Sequence, residues 1–205
     1  MRPLRLALAQ LNTTVGDLAG NADRMIALMD EARVHDVDLI AFPELAVTGY
    51  PPEDLLLKRQ FLAEADAQLE RIAQASNGMV VVVGAPQLVD GTVFNAAVAE
   101  TPDGITGALY NVAAVAVDGN IVDRYRKIFL PNYGVFDEQR YFTPGTENDP
   151  LELYEIGGVK VGVTVCEDIW SPFGPLATQA AGGAELSVNI NGSPFYAGKS
   201  GFRHQ

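Results

Sequence analysis

The sequence predicts an α/β protein that opens on a β-α-β-α-β run and changes to paired strands downstream. Three observations carry this. The stretches Leu4–Leu11, Val37–Phe42 and Met79–Val83 are apolar on both faces, as strands covered on both sides of a sheet must be. The segments between them carry apolar residues at helical spacing, so the central sheet is largely parallel at this end. Beyond residue 110, short apolar runs are separated by tight turn signals.

Each element has its own signal. Asn21 can cap a helix whose apolar positions are Ala22, Met25, Met29 and Ala32. Leu62, Ala65, Leu69 and Ile72 define a second helix at 3-4-3 spacing. Val93–Ala99, Val112–Val117 and Ile121–Arg126 read as strands, with Asp118-Gly119-Asn120 as a hairpin turn between the last two. Leu151–Ile156 and Val159–Val165 form another hairpin about Gly157-Gly158, and a short helix over Pro175–Ala181 precedes a strand at Ala184–Ile190. Leu130–Asp149 is a long aperiodic segment. Its four aromatics (Tyr133, Phe136, Tyr141 and Phe142) favour an ordered, functional loop over disorder.

Composition narrows the classes of function. The 205 residues suit one domain with a sizeable core, 48% hydrophobic and 20% charged. A formal net charge of −12 argues against nucleic acid or anionic lipid as a partner. No apolar run approaches the length of a membrane span, and the short apolar N-terminus reads into a strand, so the expected location is the cytoplasm. One cysteine excludes an internal disulfide framework, and two histidines exclude most zinc sites. The abrupt finish after the last strand reads as a fragment, incomplete at its C-terminus.

Three positions fall where a strand ends and a loop begins, which is where α/β proteins place chemistry. They are Glu44 after Phe42-Pro43, Lys127 after Tyr125-Arg126, and Cys166 after Val163-Thr164-Val165. A carboxylate, an ammonium and a thiol suffice for acyl transfer. The first takes the thiol proton, the thiolate attacks a carbonyl carbon, and the ammonium steadies the oxyanion. A nearby cation would also lower the thiol pKa. Each residue has a plainer reading: Cys166 as a small core residue, Glu44 as a solvated loop charge, Lys127 as an exposed edge charge, and Trp170 as structural packing.

The ordered set resembles the nitrilase superfamily of carbon–nitrogen hydrolases, whose members carry Glu, Lys and Cys in that order at strand ends. The resemblance runs from Leu4 to Phe195. It implies a nitrilase-like α-β-β-α sandwich of two stacked mixed sheets with outer helices, and dimers that pair sandwiches. Three strings narrow it: Tyr125 to Phe142, Val165-Cys166-Glu167-Asp168-Ile169-Trp170, and Asn189-Ile190-Asn191-Gly192-Ser193-Pro194-Phe195. These look like the glutaminase domain of the glutamine-dependent NAD synthetase family.

That similarity implies hydrolysis of the glutamine side-chain amide, with ammonia passed to a separate ATP-using domain that amidates deamido-NAD. By motif position, Glu44 would be the general base, Cys166 the nucleophile, and Lys127 the stabiliser of the tetrahedral intermediate. The backbone N–H of Glu167 would be a second oxyanion donor, and Glu138 a supporting acid. Tyr50, Tyr133, Phe136 and Ser193 match positions that shape the glutamine pocket. Residues 1–205 would form a partial glutaminase domain with the synthetase domain absent, and a homo-oligomer is expected. ATP with Mg and deamido-NAD would bind only that absent domain, so this chain would carry no cofactor. The string Ser193 to Ser200 mimics a phosphate loop but has Ser193 where the first glycine belongs. Two alternatives stay open: a stand-alone nitrilase-type amidase or carbamoylase, and an inactive truncated folding or assembly unit.

Overall fold

A computed structural model describes residues 3–90, 107–146 and 148–203. Three parallel strands begin a five-stranded sheet: β1 (Leu6–Leu8), β2 (Leu39–Ala41) and β3 (Val80–Asp90). β4 (Gly107–Val117) and β5 (Asn120–Arg126) extend it antiparallel, in the order β1-β2-β3-β4-β5. A second sheet holds β6 (Leu153–Ile156), β7 (Val159–Val165) and β8 (Leu186–Ile190), the first pair antiparallel and the second parallel. Among the described residues, four helices complete the fold: α1 (Leu18–Val34), α2 (Arg59–Gln74), α3 (Pro175–Ala181) and α4 (Lys199–Arg203). None is long and apolar enough to cross a membrane.

The period-2 alternation of the strands builds the layers. Along β4, Val112, Ala114 and Ala116 face one core and Ala113 and Val115 the other. The first core packs the sheet against α1 and α2 through Met25, Met29, Leu69 and Ile72, all fully buried. Burying each such side chain contributes roughly 1.5–3 kcal/mol. The second core joins the two sheets, with Leu39, Val82 and Val115 against Val161, Val163, Val165 and Val188. On the far side, α3 ties to β7 through Gln179 Nε2, which donates to the Val163 carbonyl at 3.0 Å. The order of layers is α-β-β-α, as the resemblance implies.

Some elements depart from expectation. The third strand runs on to Asp90, seven residues past Val83, because β4 pairs with it throughout. The expected strand at Val93–Ala99 lies outside the described residues. The run Leu4–Leu11 yields only a three-residue strand at the sheet edge, where Leu6 and Leu8 are 40% and 76% exposed. Asn21 does not cap α1: Asp17 does, accepting from the Gly20 N–H at 3.1 Å. Asn21 is instead buried within the helix. Its amide donates to the Thr14 and Val47 carbonyls at 2.9 and 3.1 Å, tying α1 to the loop beyond β2.

The turns match their chemistry. Asp118 and Gly119, both at positive φ, form the two-residue connection of the β4–β5 hairpin.

Candidate active site

Glu44, Lys127 and Cys166 each follow the last residues of a strand (β2, β5 and β7), and the fold brings these three ends together. Glu44 sits on the turn Pro43–Leu45. That turn lies directly against Gly84 of β3, where a Cβ would come within 2.3 Å of Leu45 N and 2.5 Å of the Pro43 oxygen. Leu45 is held at φ 49 and Cys166 at φ 44, a region costly for side chains with a Cβ. Strain of this kind next to a carboxylate and at a thiol is characteristic of residues presented for chemistry.

Glu44 as a solvated loop charge and Lys127 as an exposed edge charge do not survive, whereas Cys166 is buried at the end of the inter-sheet core, as its plainer reading has it. Glu44 and Lys127 are each 1% exposed and Cys166 is 2% exposed. Lys127 Nζ donates to Glu44 Oε1 at 2.7 Å and to Glu138 Oε1 and Oε2 at 2.7 and 2.8 Å. Glu138 opens a short 3-10 turn, Glu138–Arg140, inside the long aromatic loop. The Asn111 amide, on β4, donates to Glu44 Oε1 at 2.8 Å and Glu138 Oε2 at 3.4 Å. The Gly192 N–H donates to Glu44 Oε2 at 2.8 Å. Oε1 of Glu44 thus takes two donors and Oε2 takes one, which leaves Oε2 better able to accept a proton.

The electrostatics follow from two carboxylates and one ammonium in a dry setting. Burial pulls Lys127 toward its neutral form, but Glu44 and Glu138 outweigh burial and hold it above its ordinary range, charged. Burial and the charge of Glu44 push Glu138 up to about 7, against the pull of Lys127. Burial and Glu44 push the Cys166 thiol up to about 12. Lys127, the Ser193 hydroxyl and the Gly192 N–H act the other way and are outweighed. The expectation of a thiol lowered by its cation is therefore corrected. The cation is present, but burial beside a carboxylate wins, so the thiol needs a base at the moment of reaction.

The remaining predicted residues divide. Ser193 Oγ lies 3.4 Å from Cys166 Sγ. Tyr50 donates to Glu138 Oε1 at 3.4 Å and, with Phe136 and Glu138, lines a cleft of about 240 Å³. Tyr133 lines a different and wider cleft of about 990 Å³, with Glu167. Its hydroxyl donates to the Glu167 carboxylate at 2.9 Å. Tyr133 and Phe136 meet edge to face, 5.6 Å between ring centres, so the aromatic loop forms the wall between the two clefts. Glu167 is the second residue of the 3-10 turn Cys166–Ile169, where N–H groups have no partner within the turn.

Sequence reasoning missed Asn111, Asp168 and the Gly192 N–H. Asn111 had a signal, as a lone amide in an otherwise apolar strand. Asp168 had one too, as a carboxylate two residues beyond the thiol. The Gly192 N–H had none, since every residue carries that group.

Residues 5–205 match the carbon-nitrogen hydrolase family. The chain belongs to that family. Among similar carbon-nitrogen hydrolase sequences are a glutamine-dependent NAD(+) synthetase of Xylella fastidiosa, 47% identical over 200 residues, and one of Thermotoga maritima, 45% identical over 200 residues. The matches cover 96% and 97% of this chain but 33% and 32% of those proteins, so the chain spans about a third of their length. The structure of glutamine-dependent NAD+ synthetase from Acinetobacter baumannii, in complex with ADP, aligns at a TM-score of 0.80 with 36% identity. That alignment covers 98% of this chain and 35% of the synthetase. An amidase of Nesterenkonia sp. AN1 shares the fold at a TM-score of 0.74 and 24% identity, over 96% of this chain and 68% of the amidase.

Proposed function

We propose that this carbon-nitrogen hydrolase chain is the glutamine-hydrolysing part of a glutamine-dependent NAD synthetase. The observation that carries the reading is the buried Glu44–Lys127 pair beside the strained Cys166, in a chain 47% identical to a glutamine-dependent synthetase. In the mechanism we infer, Glu44 takes the Cys166 proton as Sγ attacks the side-chain amide carbon of glutamine. The carbonyl oxygen gains the negative charge and is steadied by Lys127 and the Glu167 N–H. Glu44 returns the proton to the nitrogen, the C–N bond breaks, and ammonia leaves a Cys166 thioester. Water, deprotonated by Glu44, then attacks the thioester carbon and releases glutamate and the thiol.

The raised thiol pKa supports this order of events, because concerted removal of the proton by Glu44 spares the site a standing thiolate beside a carboxylate. Tyr50 and Phe136 from one cleft, Tyr133 from the other, and Ser193 near the thiol are the proposed contacts for glutamine. Glu138 holds Lys127 in place. Ammonia goes to a synthetase domain in the same longer protein. That domain, not these residues, takes ATP, Mg and deamido-NAD. Lys199, in the string that mimics a phosphate loop, donates to the Pro194 carbonyl at 2.7 Å. A cytoplasmic homo-oligomer belongs to the same reading.

An inert folding unit is disfavoured by the buried cluster itself. Replacing such ions by packed apolar groups is often neutral or stabilising, so folding alone gives no reason to hold two carboxylates and an ammonium in the core. The test is glutamate release from glutamine by the full-length protein and its Cys166→Ala form. Release by the first and none by the second is expected. Equal rates would sink the reading.

A further inference from the structure

We propose that Asp168 is a positioning residue: its carboxylate fastens the turn that presents Cys166 to the strand end that presents Lys127. The inference rests on the reading above, in which those two side chains act on one substrate.

Asp168 is fully buried and stands two residues beyond Cys166. Its Oδ2 accepts from the Tyr125 hydroxyl at 2.8 Å and the Val165 N–H at 3.3 Å. Its Oδ1 accepts from the Phe129 N–H at 2.8 Å and the Ile128 N–H at 3.2 Å. The donors bracket the chemistry. Val165 immediately precedes Cys166. Tyr125 lies two residues before Lys127, and Ile128 and Phe129 lie one and two after it.

β5 and β7 belong to different sheets, so no ladder sets the register of one strand end against the other. The apolar layer between the sheets is non-directional. The Asp168 carboxylate supplies a buried directional link at these strand ends, with four charge-assisted bonds. Capping the Cys166 turn would need only the Val165 N–H. The other three donors come from the Lys127 segment. A carboxylate has about four acceptor sites and all four are taken, whereas an amide would turn one oxygen into a donor facing donors.

The test compares Asp168→Asn, Tyr125→Phe and Lys127→Gln in the full-length protein, with unfolding midpoints confirming that each is folded. Asp168→Asn is expected to lower kcat for glutamine about 100-fold while KM stays within about twofold, the size of loss that small misplacement produces. Tyr125→Phe removes one of the four bonds and is expected to lower kcat about 3- to 10-fold by the same route. In a Lys127→Gln background either change should cost less than about twofold more, because the placement it disturbs no longer matters. The same fold-loss in both backgrounds, or a raised KM with kcat intact, overturns the inference. If Asp168→Asn does not fold, Tyr125→Phe carries the same cycle.

Alkylation of Cys166 by iodoacetamide separates this inference from the proposed function. Asp168→Asn, or Tyr125→Phe in its place, should change the alkylation rate in the same direction as Lys127→Gln. An unchanged rate overturns the positioning role. A parent that fails to hydrolyse glutamine, with the alkylation pattern intact, sinks the substrate and leaves the positioning role standing.

Discussion

Lys127 Nζ lies 2.7 Å from Glu44 Oε1, and neither side chain has any contact with solvent. The ammonium also bonds Glu138, so one cation holds two buried carboxylates together. Removing it leaves both unpaired in a dry site. Lys127→Met is therefore expected to destabilise the protein by about 3–5 kcal/mol, as well as to slow hydrolysis steeply. Urea unfolding checks this. A loss below about 1 kcal/mol would mean that the cluster is wetter than its burial indicates.

Glu138 gives the fold a pH dependence. Its pKa in the folded state is pushed up to about 7 by burial and by Glu44, above the ordinary carboxylate value near 4.5. Between those values the native state binds more proton than the unfolded chain. This contribution is therefore fully present at low pH and is lost as pH rises through about 7. Relative to Glu138→Gln, which cannot titrate, the parent should lose unfolding free energy between pH 5 and pH 8. A difference that stays constant across that range would contradict the assignment.

The buried thiol leads to opposite effects of one substitution. Cys166 is pushed up to about 12, first by burial and then by Glu44. At pH 7.5 iodoacetamide should alkylate it on the order of 100-fold or more slowly than free cysteine. Glu44→Gln removes the repelling charge and keeps the shape. It should speed alkylation while stopping glutamine hydrolysis. If both rates fall together, losing Glu44 as a base outweighs losing its repelling charge.

Gly84 is a packing requirement for the base. A methyl group there would overlap the Pro43–Leu45 turn at 2.3–2.6 Å, and the atoms it meets are backbone. Gly84→Ala is expected to cost about 1–3 kcal/mol of stability, with kcat reduced more than KM is changed, since the turn carries Glu44. Thermal unfolding together with steady-state kinetics measures both.

Much of this was legible in the residues. Apolar runs located β2, β7 and β8, 3-4 spacing gave the buried faces of α1 and α2, and turn chemistry gave the β4–β5 hairpin. Glu44, Lys127 and Cys166 stood out because each follows a strand, and that places them at one end of the layers. What could not be read depends on contacts between segments far apart in the chain. Asn21 has the chemistry of a cap and serves as a buried link to Val47, 26 residues away. Lys127 looked like an edge charge because its carboxylates are contributed by the β2 turn and the aromatic loop. The length of β3 depends on β4 as a partner. The thiol pKa reverses the simple cation argument because burial has no signature in local sequence.

In the proposed mechanism, Cys166 carries the acyl group of glutamine during turnover. Acid-quenching the full-length protein with saturating glutamine, then mass analysis of the peptide that contains Cys166, tests it most directly. The expected result is a γ-glutamyl thioester on Cys166 that is absent from Cys166→Ala and from samples without glutamine. Steady glutamate release with no adduct, undiminished in Cys166→Ala, would contradict it.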